Sequence, residues 1–194
     1  MPSPLSIRVG GLHTLDTDIP AFRPTHMLGI LDPLTPDPPS YALERAHRLA
    51  LILRFRDVDA GDPGGPEGHH AAAIIDFADR VVTASRQQET RLLVHCHAGI
   101  SRSTASAYIA LVRERGLDRA DEAFAELLRI TEQPWPNRSL VDLADRLLAA
   151  NGRLLAPLDA YRAANIDRLH QGMAPLGRAA DDDTGFLDWV FPRR

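Results

Sequence analysis

The sequence predicts an α/β domain with a small central, largely parallel sheet flanked by helices. Three observations predict it. Apolar runs of strand length alternate with amphipathic stretches of helix length, two of the runs are too continuous to belong to strands with one wet face, and Gly/Pro-rich breaks separate the segments.

Ser6–Val9 (SIRV) and Thr25–Leu31 (THMLGIL) read as short strands, each followed by turn chemistry, Gly10-Gly11 and Asp32-Pro33. Thr35–Ser40 (TPDPPS) reads as a loop. Leu49–Phe55 (LALILRF) is nearly all apolar, which predicts a strand buried on both faces, and Arg56-Asp57-Val58-Asp59 with the breaker-rich AGDPGGP ends it. Pro66 and Glu67 suit the first turn of a helix, which the spacing of Ala71, Ile74, Ile75, Ala78, Val81 and Val82 carries to Ser85. Arg91–His95 (RLLVH) is the next buried strand. A helix starts near Ser101, runs through Ala105, Tyr108, Ile109 and Val112, and stops at Gly116. Two more follow: one from an Asp118 cap to Thr131, the other from an Asn137 cap through Leu140, Val141, Leu143, Ala144, Leu147 and Leu148 to Asn151-Gly152. Leu155, Leu158, Ile166 and Leu169 fit a further helix. Residues 172–185 have no periodicity, and the final FLDWVFPRR is apolar enough to dock. The expected organisation is one domain over 1–152 and a helical or linker extension of unassigned role over 153–194.

Composition narrows the chemistry. The chain has 194 residues, 44% hydrophobic and 25% charged, with a single cysteine, so an internal disulfide framework and a Cys-based structural zinc site are both excluded. A net charge of -4 provides no global basic field for nucleic acid or an anionic membrane. Every basic residue is Arg, which removes Schiff-base chemistry and Lys-dependent phosphate loops. The N-terminus lacks a cationic start followed by an apolar stretch, and no apolar run approaches the roughly 20 residues that span a bilayer; the expectation is a soluble, cytoplasmic protein.

The informative stretch is His95–Thr104, HCHAGISRST, where a buried strand turns into a helix. Backbone N–H groups of His97, Ala98, Gly99, Ile100, Ser101 and Arg102 can form a nest, and the following helix adds its positive end. Gly99 supplies the backbone freedom such a loop needs. Cys96 opens the loop, so its sulfur lies at the focus of these donors, which favour the thiolate. Arg102 returns its planar guanidinium over the same loop, matched to two phosphate oxygens, and the Ser103 hydroxyl can hydrogen-bond the sulfur. A metal site of His95, Cys96 and His97 has poor geometry, because adjacent strand residues point to opposite faces. His95 is expected to orient the loop beneath Cys96 through hydrogen bonds, and His97 to lie at the pocket rim, where its charge would favour anionic substrates, or else to be simply solvent-exposed. His69-His70 at a helix start is expected to be solvated, Trp135 to wall the pocket or pack, Asn137 to cap a helix, with positioning of a water as the alternative, and Asp181–Asp183 to be a hydrated linker.

Cys followed by five residues and Arg-Ser, after a strand ending in His, resembles the signature of the protein tyrosine phosphatase superfamily, and HCHAGISRS looks like its compact dual-specificity branch and bacterial relatives. The likeness runs from Ser6 to Leu148 and takes in Pro136-Asn137 with its apolar helix. It implies a cysteine-phosphatase fold and two-step hydrolysis: Cys96 attacks phosphorus, Arg102 and the loop amides hold the equatorial oxygens, and a carboxylic acid protonates the leaving alcohol. That acid belongs on the loop after Leu49–Phe55. Asp57 matches the Asp that ends this strand in dual-specificity enzymes, while Asp59 and Asp62 each begin an Asp-x-Gly-x-Pro-like pattern similar to the acid loop of tyrosine-specific enzymes. All three stay open. The implied substrate is phosphotyrosine, with phosphoserine and phosphothreonine beside it; the alternatives are a phosphoinositide or other non-protein phosphomonoester, and a catalytically weak phospho-binding module. No metal and no cofactor are implied. The expected partners are a phosphorylated protein or small phosphomonoester, with neither nucleic acid nor membrane insertion.

Overall fold

The computed structural model describes residues 5–41 and 49–166. Its elements run β1 (Leu5–Gly11), α1 (Leu15–Phe22), β2 (His26–Leu31), β3 (Leu49–Arg54), α2 (Gly68–Ser85), β4 (Thr90–Cys96), α3 (Arg102–Arg115), α4 (Ala120–Ile130), α5 (Arg138–Leu147) and α6 (Leu155–Ala164). The four strands form one sheet of order β1-β4-β2-β3, every pair parallel. Chain contacts divide the molecule into a unit ending at Leu158 and a second beginning at Asp159. Leu169, residues 172–185, Asp181–Asp183 and the final FLDWVFPRR lie outside the described residues.

Alternation along the central strands builds two cores. Met27, Leu31 and Leu93 face one side, where Leu15 of α1 and Tyr41 complete a buried cluster with Ile19, Phe22 and Ile52 against it. Leu28, Ile30, Leu92 and Val94 face the other side and are equally buried, where α2 and α3 pack. The outer helices α4 and α5 pack on α3, burying Phe124, Leu127, Leu140 and Val141.

Four expectations change. Leu49–Arg54 is the sheet's edge strand, so its middle residues are half-exposed rather than buried on both faces. Gly10 and Gly11 do not turn the chain. They end β1, paired with His95 and Cys96. Helix α1 had no sequence signal because Pro20 interrupts its pattern. Asp118 does not cap α4: it lies in a 3-10 turn, Leu117–Arg119, and Arg119 takes the cap position. Asn137 does cap α5, its side chain accepting from Leu140 N at 2.9 Å.

Because all four strands are parallel, their carboxyl ends share one edge of the sheet, which is where ligand sites form in such folds. Gly11 stands opposite Cys96, and Leu31 opposite Arg54. The residues that follow these ends meet there.

Candidate active site

Cys96 ends β4 and is 1% exposed. Its Sγ accepts from the Gly99 backbone N–H at 3.3 Å and lies 3.2 Å from Ser103 Oγ, so the loop folds back over the sulfur. Gly99 is held at φ +77°, in the left-handed region, and a Cβ there would stand 2.8 Å from the carbonyl carbon and oxygen of Gly10. Only glycine fits, since both the backbone conformation and the close approach to β1 exclude a side chain. The loop's outer side is fastened by backbone bonds: Leu12 N donates to His97 O, and Trp135 N and Asn137 N donate to Ile100 O and Ser101 O. Trp135 thus acts here through its backbone; its ring is half-buried.

Arg102 opens α3 and is 3% exposed. Its Nη1 donates to Asp32 Oδ1 at 2.5 Å and to the Phe55 carbonyl at 2.6 Å, while Asp57 Oδ2 lies 3.7 Å from its buried Nε. The loops after β2 and β3 therefore both meet the guanidinium. Asp57 is tied down further, its Oδ1 accepting from Ser101 Oγ at 2.7 Å and from Asn137 Nδ2 at 2.9 Å. Asp59 turns away to Ser139 Oγ, 2.9 Å distant. Asp62 is exposed, and its backbone serves a turn with Asp59 and Gly65. Of the three acids left open by sequence, Asp57 touches the Cys96 loop and Arg102.

His95 is fully buried, with Nε2 2.6 Å from the Tyr41 hydroxyl. This pair occupies the space a side chain at Gly29 would need, since a Cβ there would come 2.7 Å from His95 Nε2. Burial lowers the His95 pKa to about 4. A hydrogen bond with the Cys96 backbone opposes that shift, so His95 meets both the strand end that carries the sulfur and Tyr41, a partner the sequence does not announce. His97 is half-buried rather than simply solvent-exposed: it lies 3.4 Å from Asp32 Oδ2 and 3.2 Å from Thr35 Oγ1, and burial, opposed by Asp32, lowers its pKa. His70 is buried rather than solvated, its Nδ1 accepting from Glu67 N and its ring lying 4.6 Å from that of Phe55. No group of three His, Cys, Asp or Glu side chains suited to a metal ion occurs among the described residues.

Comparison with known proteins places the fold. The chain superposes on human DUSP28 with a TM-score of 0.55 at 19% identity, covering 78% of this chain and 91% of that one. It matches the human tyrosine phosphatase-like serine/threonine/tyrosine-interacting protein equally, at TM-score 0.55 and 19% identity over 78% and 94% of the two chains. The Yvh1 phosphatase domain from Chaetomium thermophilum follows at TM-score 0.50 and 20% identity, over 79% and 95%. The chain has the dual-specificity form of the protein tyrosine phosphatase fold.

No family model matches the sequence. Among curated proteins it is similar to the ribosomal RNA small subunit methyltransferase G of Cupriavidus necator, 29% identical over 72% of this chain and 58% of that protein. The namesake from Cupriavidus pinatubonensis is 30% identical over 75% and 59%. The chain thus spans less than two thirds of these relatives.

On the dual-specificity phosphatase fold, the strand ends account for what sequence reasoning missed. Asp32 reads as half of a turn dipeptide, and Tyr41 sits beyond a proline-rich loop, yet β2 carries one to Arg102 and its Gly29 leaves room for the other. No helix among the described residues is long and apolar enough to cross a membrane.

Proposed function

We propose that the chain is a cysteine-dependent phosphatase of phosphotyrosine, and also of phosphoserine and phosphothreonine, acting through a phosphocysteine intermediate. One observation carries this reading: a buried sulfur receives a loop N–H and lies 3.2 Å from the Ser103 hydroxyl, at the end of a loop that closes on a buried arginine. The likeness in fold extends over 91–95% of the phosphatase-fold chains, while the sequence likeness to the methyltransferases extends over at most 59% of their length, which supports hydrolysis over methyl transfer.

In the first step the Cys96 thiolate attacks phosphorus and the bond to the leaving oxygen breaks. Asp57 gives that oxygen its proton, while Arg102 and the amides of His97, Ala98, Gly99, Ile100, Ser101 and Arg102 hold the equatorial oxygens. In the second step water attacks, Asp57 takes its proton, and the P–S bond breaks with the electron pair returning to sulfur. Ser103 Oγ, 3.2 Å away, stabilises the departing thiolate. His95, paired with Tyr41, supports the strand end from below.

Singly phosphorylated substrates suit this site better than phosphoinositides. Two carboxylates, Asp32 and Asp57, already flank the buried Arg102 guanidinium, and Arg54 is bound to Asp37 and to loop carbonyls. A second substrate phosphate would meet negative charge. The test is hydrolysis of an aryl phosphate, then of phosphopeptides, phosphoinositides and nucleotides. Activity is expected to persist in EDTA, to stop with vanadate and to vanish in Cys96→Ser; activity that survives Cys96→Ser would falsify the mechanism. Phosphopeptide binding without turnover would instead favour the phospho-binding module.

A further inference from the structure

We propose that Asp32 is a positioning residue for Arg102, pinning Nη1 so that the Nε–Nη2 edge of the guanidinium stays free for two oxygens of a phosphate. The identity of that ligand rests on the phosphatase reading above; the geometry does not. Arg102 makes its protein hydrogen bonds from Nη1, to Asp32 Oδ1 at 2.5 Å and to Phe55 O at 2.6 Å. Its Nε is buried with no hydrogen-bond partner, and Asp57 Oδ2 at 3.7 Å is too far to serve as one. A buried N–H left unpaired is costly and calls for an explanation, and an incoming oxygen supplies it.

Other arginines of this chain show what the free edge is suited to. Arg113 grips Asp79 through Nε and Nη2 at 2.7 and 3.2 Å, and Arg119 and Arg129 hold Glu122 and Glu126 through the same two nitrogens. That edge is the fork that matches two oxygens of one carboxylate or phosphate. At Arg102 the carboxylate approaches from the opposite corner instead and leaves the fork open.

Asp32 is itself braced. Arg54 Nη1 donates to its carbonyl at 3.3 Å and to Thr35 O at 2.6 Å, His97 Nδ1 lies 3.4 Å from its Oδ2, and Thr35 Oγ1 lies 3.2 Å from His97 Nε2. The loop after β2 is thereby joined to the Cys96 loop and to α3 at one carboxylate. With the Asp32 side chain 40% exposed, a substitution there opens no cavity in the core.

Tungstate binding to the full chain, measured by calorimetry, tests this without turnover. Asp32→Ala is expected to weaken binding by about tenfold or more, the scale of a lost charge-assisted hydrogen bond. Asp32→Asn, whose amide oxygen still accepts from Nη1, should stay within about threefold of wild type. Turnover should fall with binding in Asp32→Ala, because the same fork serves the transition state. Tungstate held as tightly by Asp32→Ala as by wild type, or more tightly, overturns the proposal and makes Asp32 a competitor for Arg102. If circular dichroism shows Asp32→Ala unfolded, Asp32→Ser is judged by the same criterion. Failure of the phosphatase reading looks different: wild type would bind tungstate yet leave aryl phosphates intact.

Discussion

Asn137 Nδ2 donates to Asp57 Oδ1 at 2.9 Å, joining the cap of α5 to the loop after β3 across 80 positions of sequence. The same nitrogen reaches Val58 O at 3.3 Å, and Ser101 Oγ holds Asp57 from the Cys96 loop. Asp57 is thus fixed beside Arg102, while Asp59 is spent on Ser139. Asp57→Asn should lower turnover by about 10²–10⁴, the worth of general acid catalysis, and most for poor leaving groups that need the proton. Asp59→Asn and Asp62→Asn should cost little. Steady-state rates over a series of aryl phosphates decide, and a reversed order would move the acid to Asp59 or Asp62.

Asn137 has two jobs that substitution can separate. Its Oδ1 caps α5 and its Nδ2 holds Asp57. Asn137→Ser keeps a good cap and loses the donor, so stability should hold within several tenths of a kcal/mol while turnover falls. Asn137→Ala loses both and should cost about 1 kcal/mol in addition. Equal turnover in wild type and Asn137→Ser, with normal urea midpoints, would reduce the residue to a helix cap.

Ser103 Oγ lies 3.2 Å from the sulfur that must leave in the second step. Ser103→Ala should therefore slow breakdown of the phosphoenzyme by roughly tenfold, about one hydrogen bond, and leave its formation nearly untouched. Rapid mixing with an activated aryl phosphate should show a burst of phenol in the variant larger than in wild type. A slower burst phase with unchanged amplitude would assign Ser103 to the first step.

The Cys96 cradle was legible because its parts are contiguous: His95 to Thr104 hold the sulfur, nest, arginine and helix start in one stretch. Helices α2 and α5 were legible from periodicity, since each buries one face, and α3, buried all round from Arg102 to Val112, from its apolar positions and the Gly116 that stops it. What escaped is long-range. Asp32 and Arg102 are 70 positions apart, and an Asp-Pro dipeptide has the same appearance whether or not an arginine awaits it. Gly10-Gly11 reads as a turn because a sequence pattern does not register the backbone of Gly99 approaching β1. The apolar run of β3 likewise carries no mark of its edge position, where half-exposure replaces burial.

His95 makes the fold sensitive to acid in a defined window. Its pKa falls from 6.5 in the unfolded chain to about 4 in the fold, because burial beside Tyr41 disfavours the imidazolium. Between these values the unfolded chain binds the proton and the native state does not, so the stabilisation is fully present above 6.5 and is lost as pH falls toward 4. The loss amounts to about 3 kcal/mol for this residue. His26, His70 and His97 are shifted in the same direction, chiefly by burial, and add to the slope. Urea unfolding at steps from neutral to acid pH should show stability falling through this range. His95→Gln should take about one proton out of the slope. An unchanged slope in His95→Gln would mean that the buried ring is charged in the native state, and the Tyr41 hydroxyl would then accept its proton rather than donate one.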